Sequence, residues 1–402
     1  MYWPLALVQI FFTLGWTVYV IFLPGLLKVA GIDVSWLAWM LVVDQLLFAA
    51  ADVVTGVWLD RSRQFMRTAG NWLTALVLAA CMVFVLLPFF AQSLPVWLFL
   101  PALFVWVICS SVLRVPPLVL MAKYATPEQP ASLSSPVAAY LFGLGVAGAI
   151  APYLTVLLKN RDPLLPFVLA SIALALITLV LRRQLIKPAP INVPNNPSTA
   201  SNGLTIALPL LIAVALFAFG VQLHGAVNSA KLFARVAPGV PLEWLMPLFW
   251  AGFSIAMFPA SWWLARGTSG DRGFNNAAAN MLWVAGLIGG FAMIACATAP
   301  PLPLLIALQV VAGAAWGAVF LAAITAAAAL GHIGREGAWI GAILALMAIA
   351  TVGRIVLVLV LAPARGAVIG SVVTPQLPWA TGVAWLLGAA LLAWLFMRHK
   401  DN

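Results

Sequence analysis

Long apolar runs separated by short polar or Pro/Gly-rich breaks repeat along the whole chain, from "PLALVQIFFTLGWTVYVIFLPGLL" near the start to "GVAWLLGAALLAWLFM" near the end. A run of about 20 apolar residues, wound as a helix, crosses the hydrocarbon of a bilayer. Cutting the chain at its breaks gives twelve such runs, near 5–29, 35–59, 68–90, 95–119, 133–158, 164–182, 204–228, 242–265, 276–298, 303–330, 337–361 and 377–397. Lipid offers the backbone no hydrogen bonds, so spanning segments are helices or closed barrels, and barrel strands of about 10 alternating residues do not match these runs. The pattern predicts an all-α membrane protein with twelve transmembrane helices.

One break differs from the others. "RRQLIKPAPINVPNNPSTASNG", residues 182–203, is rich in Pro, Asn and Ser. Such a stretch cannot build a core and reads as a linker. It divides the chain into a six-helix bundle over 1–182, a cytoplasmic linker over 183–203 and a second six-helix bundle over 204–402.

Composition removes several alternatives. The chain is 64% hydrophobic and 7% charged, whereas soluble domains carry about one quarter charged residues. The net charge of +10 comes from Lys and Arg placed singly at the ends of apolar runs; with no basic stripe, a nucleic-acid partner is not expected. With the N-terminus inside, the inner loops and C-terminus carry thirteen Lys/Arg and the outer loops six, with Arg354 left inside a span. Counting Arg114 as intramembrane leaves twelve against six. By the positive-inside rule both termini are cytoplasmic, and a bacterial-type inner (plasma) membrane is expected. Cys81, Cys109 and Cys296 each lie within an apolar run without paired or metal-ligand spacing, so they read as free thiols. The first run has no basic n-region and is long enough to span, so no cleaved signal peptide is expected. No phosphate-binding loop, zinc motif or catalytic triad is visible, and neither an enzyme nor a cofactor is expected.

Against this background "DQLLFAAADVVTGVWLDRSR", residues 44–63, stands out. Asp44 and Asp52 sit among Leu, Phe, Ala and Val, where a charge costs about 2.5–3.5 kcal/mol on insertion scales and so marks a pair or a watery cavity. At about 1.5 Å per residue from Ser35, Asp44 lies about 14 Å deep and Asp52 about 25 Å deep, about 80° apart around the helix.

"VWLDRSR" at the end of the second run has a faint echo in "WWLARGTSGDRG" at the end of the eighth. The echo supports pseudo-symmetric halves, as in secondary transporters, which bind substrate between their repeats. The counterparts of Asp44 and Asp52 are Phe249 and Met257, so the acids belong to one half only.

Twelve spans, a central linker and "GVWLDRSR" together resemble the major facilitator superfamily, whose loop signature falls here on Gly56, Asp60 and Arg61. The first five spans resemble the glycoside–pentoside–hexuronide:cation symporters, through Asp52, Gly56, Asp60 and "RSR", "YVIFLPGLLKVAGIDVS" and "RVPPLVLMAKYATPEQPASLSS". That resemblance implies cation coupling at Asp52, with Arg354 standing for the group's basic residue on the eleventh span. The group's first acid falls at Phe48, an acid before its Val-Pro pair falls at Arg114, and its sugar-contacting basic residue falls near Val137. A sugar substrate is therefore not carried over.

Depth counting places Arg114 level with Asp52, and Arg354 about 10 Å below the outer surface, near Asp44. Two pairs are expected, Asp52–Arg114 and Asp44–Arg354, the second crossing between halves. Asp60 with Arg61 and Gly56 reads as a latch at the cytoplasmic surface. Trp16, Tyr19, Gln309 and Trp316 are candidate cavity-lining residues on the first and tenth spans. His224, with Gln222 and Asn228, reads as the outer end of the seventh span.

The expected function is secondary active transport of a small organic solute, anionic or zwitterionic, by alternating access. H+ is favoured over Na+, because one carboxylate per depth lacks the oxygen cluster a bare cation needs. The partners expected are the lipid bilayer and a small-molecule substrate, and the protein is expected to be a monomer. Export of hydrophobic compounds or lipids, and a non-transporting assembly factor or sensor with the same fold, are the alternatives.

Overall fold

The computed structural model describes residues 2–125, 131–185, 203–266, 271–331, 334–361 and 373–400. Its secondary structure is helical, and twelve helical segments are long and apolar enough to span a membrane. They are Trp3–Val29, Val34–Arg61, Gly70–Ser93, Val96–Lys123, Leu133–Leu158, Leu164–Arg182, Ala207–Val236, Leu242–Arg266, Ala277–Ala297, Leu302–Leu330, Glu336–Val360 and Thr374–Met397. An even number of crossings returns the chain to the face it started from, called here the near face; the opposite one is the far face. The linker at 183–203 lies almost wholly outside the described residues.

Two departures from simple helices shape the centre of the molecule. The fourth is broken: one helix runs Val96–Val112 and a second Val115–Tyr124, with Arg114 at the joint. Pro116 and Pro117 cause the break, because neither has an N–H to return to the preceding turn. The backbone there tightens instead, Leu113 N–H donating to Ser110 and Arg114 N–H to Ser111, each at 3.2 Å. The seventh span continues past its expected end near 228. A π-helical turn over His224–Asn228 joins Gly203–Leu223 to Ser229–Val236. The polar cluster that reads as a span end is therefore internal.

The halves meet along two antiparallel seams, the second span against the eleventh and the fifth against the eighth. At the first seam the backbones touch: a Cβ on Gly56 would overlap the carbonyl of Gly337, and one on Gly341 that of Asp52. Only glycine permits such an approach, as in close-packed membrane helices generally. At the second seam Gly145 meets Phe253 and Ser254, and Gly148 lies under the Trp250 ring.

The core is asymmetric across the membrane. Toward the near face one continuous cluster joins the halves, with Leu59, Leu118 and Val137 from the first and Met257, Ile324 and Ile340 from the second. Toward the far face each half closes on itself, around Tyr19, Phe84, Trp106 and Phe167 in one and Leu232, Phe233, Leu245 and Leu305 in the other. The apolar core is thus continuous between the halves at the near face and split at the far one, where Tyr153 and Trp244 still meet across the second seam with ring centres 5.6 Å apart.

Candidate functional site

Between the halves lies a cavity of about 510 Å³, within the range of small-molecule sites. Trp16, Phe48, Trp106 and Tyr140 face it from the first half, and Phe249, Trp250, Gln309 and Trp316 from the second. Its wall is mostly aromatic and aliphatic, with a few amides and hydroxyls. Among the described residues, Arg114 is the one charged side chain that lines it.

The helix break puts Arg114 there. Its guanidinium lies 3.2 Å from Asp52 Oδ2, and its Cζ sits 4.8 Å from the centre of the Phe48 ring. The Asp52 side chain is wholly covered, whereas that of Arg114 is 20% exposed, so the acid stands behind the base as seen from the cavity. Neither Asp52 oxygen receives a well-directed hydrogen bond. The pair is one of proximity, with Arg114 as the acid's sole ionic partner among the described residues.

Asp44 and Arg354 do not pair. Asp44 is fully buried and its Oδ2 accepts a 2.9 Å hydrogen bond from the Tyr19 hydroxyl, while Oδ1 has no partner. Arg354 forms no ion pair with a described acid, and its Nε is buried without a hydrogen bond. The seam explains why. Gly56 lies opposite Gly337 and Asp52 opposite Gly341, so this register continues to residue 349 opposite Asp44. Arg354 is then about 7.5 Å further toward the far face.

Tyr19 also departs from expectation. It is fully buried and packs against Trp106 and Trp16, with ring centres 4.5 and 5.0 Å away. It holds Asp44 behind the cavity wall and is not among the lining residues, unlike Trp16, Gln309 and Trp316.

On the near face Asp60 reaches across the seam. Its two oxygens accept from the backbone N–H groups of Gly337 and Ala338, at 2.9 and 2.8 Å. These are free donors in the first turn of the eleventh span, whose own N-cap residue, Arg335, supplies no side-chain cap. A carboxylate there also meets the positive end of the helix dipole. The cation beside Asp60 is Lys123, whose Nζ is 3.6 Å from Oδ1 and donates to the Leu59 carbonyl at 3.2 Å. Arg61, expected as the latch partner, is exposed instead. Lys123 takes that place, arriving from the fourth span.

Sequence reasoning missed the polar network on the seventh and tenth spans. His224 Nε2 lies 3.0 Å from Gln309 Oε1, Gln309 Nε2 donates to Ser229 Oγ at 3.3 Å, and Ser229 Oγ donates to the His224 carbonyl at 2.8 Å. Gln309 and Ser229 line the cavity, so the network stiffens its wall at the π-turn. The signal was present as polar residues three to five apart; the span boundary drawn through them hid it.

No family model and no curated protein sequence matches the chain. Solved structures do. A bacterial homologue of the iron transporter ferroportin, in an outward-facing state, superposes with a TM-score of 0.70 at 14% identity, covering 97% of this chain and 98% of that one. The human organic anion transporter MFSD10 (TETRAN) gives 0.67 at 14% identity over 97% and 98%. FucP, a Major Facilitator Superfamily transporter in the outward conformation, gives 0.66 at 14% identity over 97% of each chain. At this identity the likeness concerns the fold: the chain has the major facilitator fold.

Proposed function

We propose that this protein is a secondary active transporter. It moves a small organic solute through the central cavity by alternating access, in a plasma membrane with both termini on the cytoplasmic side. The observation that carries this reading is the acid–base pair Asp52–Arg114 set in the wall of a cavity between two separable halves. A buried ion pair is a poor way to gain stability. Inside a membrane protein such a charge marks a transport or proton pathway by default. Coupling by H+ at Asp52 fits a single carboxylate without neighbouring oxygens, and the resemblance of the first five spans to cation symporters supports the same residue.

With the near face cytoplasmic, a core continuous on the near side and split on the far side fits an outward-facing arrangement. Asp60, with Lys123 beside it, holds the cytoplasmic gate, and breaking the contacts of Asp60 to the eleventh span admits the inward-facing state. The fold's relatives carry unrelated cargoes, so fold does not choose substrate. Iron is not proposed, because among the described residues no three His, Cys, Asp or Glu side chains gather as metal ligands. A second reading, export of a hydrophobic compound, is favoured by the aromatic wall.

Thermal stabilisation of the purified protein across a metabolite library tests substrate binding. The transport reading predicts ligands that raise the melting temperature of wild type and whose effect shrinks when Trp16 or Trp316 is truncated. A library that stabilises neither is the result expected of a non-transporting sensor or assembly factor.

A further inference from the structure

The cavity presents one charge, and that charge has its counter-ion behind it. Arg114 faces the lumen at 20% exposure while Asp52 is covered completely. A solute in the cavity therefore meets a guanidinium whose planar fork suits a carboxylate or similar anion. The ion pair leaves room for an exchange, since Arg114 approaches Asp52 without a well-aligned hydrogen bond. Phe48, under the guanidinium, holds the arginine's plane while its partner changes. Around it the wall supplies Gln9, Gln45, Ser110 and Tyr140 for the polar end of a ligand, and Trp16 and Trp106 for its body.

We propose that Arg114 is the substrate's anchor and that the substrate is an organic monoanion with an aromatic or apolar body, which displaces Asp52 from Arg114. This rests on the transport reading above. The charge balance follows from burial. Asp52 and Arg114 together are neutral, and adding an anion leaves one uncompensated negative charge in a medium of low dielectric, which opposes binding. A proton added to Asp52 removes it. One anion and one proton therefore bind together, Asp52 ends as a neutral carboxyl, and no covalent bond changes. A neutral solute provides no reason for the exchange, and a cation meets the wrong sign.

The groups that bear on Asp52 are few. Arg114 comes from the fourth span and Tyr140 from the fifth, while the facing stretch "GAWIGAILA" of the eleventh has no titratable side chain. Asp44 and Asp60 lie eight residues away in either direction on its own helix. Lys123 and Glu336 gather around Asp60 at the near face.

The test is equilibrium binding to the purified full-length protein, with simultaneous measurement of proton uptake in weak buffer. The probes are phenylacetate, indole-3-acetate and hexanoate, against phenylacetamide and phenethylamine as neutral and cationic controls. Wild type is expected to bind at least one of the acids in preference to both controls, taking up about one proton per anion. Its affinity then falls by up to about tenfold per pH unit as pH rises, because binding and protonation are linked. In Asp52→Asn the competitor is gone: binding persists or tightens, loses its pH dependence and takes up no proton. Arg114→Gln weakens anion binding at least about tenfold, and Arg114→Lys restores part of it. Melting curves with and without probe show that each variant is folded, and the probe raises the melting temperature of Asp52→Asn more than that of wild type.

Failure of all three acids to bind at millimolar concentration overturns the inference. So does equal binding of phenylacetamide, or unchanged proton uptake in Asp52→Asn. If a neutral or cationic solute is instead transported with dependence on Asp52, the transport reading stands and the anion inference falls. If no solute moves under any gradient, the transport reading itself falls.

Discussion

Asp44 and Asp52 are the same residue on one helix, two turns apart, and the structure gives them different work. Asp52 stands behind a guanidinium that reaches the lumen. Asp44, fully buried, accepts from a tyrosine hydroxyl whose ring packs against Trp16 and Trp106. Tyr19→Phe removes the one side-chain hydrogen bond that Asp44 receives among the described residues and is expected to cost about 1–2 kcal/mol, seen as a lower melting temperature, with solute binding largely kept. Arg114→Ala uncovers a buried acid and is expected to cost more, about 3–5 kcal/mol while Asp52 stays ionised. Its melting temperature should therefore recover as the pH falls and Asp52 takes a proton; an equal deficit at every pH argues against an ionised pair. Counting depth from the span ends brought Asp52 and Arg114 together because both lie on neighbouring helices of one half. The same counting misplaced Arg354. Register across the seam is set by the glycine contacts near Gly56 and Gly337, and hydropathy carries no information about it.

At the scale of elements, a few short features control large ones. The eleventh span begins without a cap of its own, and Asp60 supplies one from the other half. Capping with a dipole contribution is worth about 1–2 kcal/mol, which is a factor of about 5–30 in a two-state equilibrium. Asp60→Ala should therefore shift the population toward an opening at the near face. The readout is alkylation of a cysteine introduced at Ile340, buried in the near-face core and outside the cavity wall, in a background lacking the native thiols; unchanged labelling would remove Asp60 from the gate. The Gly-x3-Asp signature made this residue visible in the sequence. Its true partners, two backbone amides 277 and 278 positions later, were not visible. The π-turn in the seventh span was equally hidden, since "HGAVNS" has the polarity of a span end. Gln309→Leu, which strands His224 and Ser229, is expected to cost about 1–3 kcal/mol and to loosen that wall of the cavity, measured as faster amide exchange around the turn.

On the scale of the whole molecule, the twelve spans were legible because twenty-residue apolar runs have few other readings. The conformation was not, because it depends on which of two sets of seams is closed. Here the near-face core is continuous and the far-face cores are separate, while the charged pair lies between them at the cavity. Under the proposed mechanism one protonation event acts on both: it frees Arg114 for a ligand and removes the charge that resists closure of the far side. The decisive measurement is solute accumulation in proteoliposomes under an imposed pH gradient, for wild type and Asp52→Asn. The prediction is uphill accumulation by wild type, abolished by collapsing the gradient, with Asp52→Asn able to exchange or equilibrate solute but not concentrate it. Accumulation by Asp52→Asn equal to that of wild type, or no solute moved by wild type at all, would contradict it.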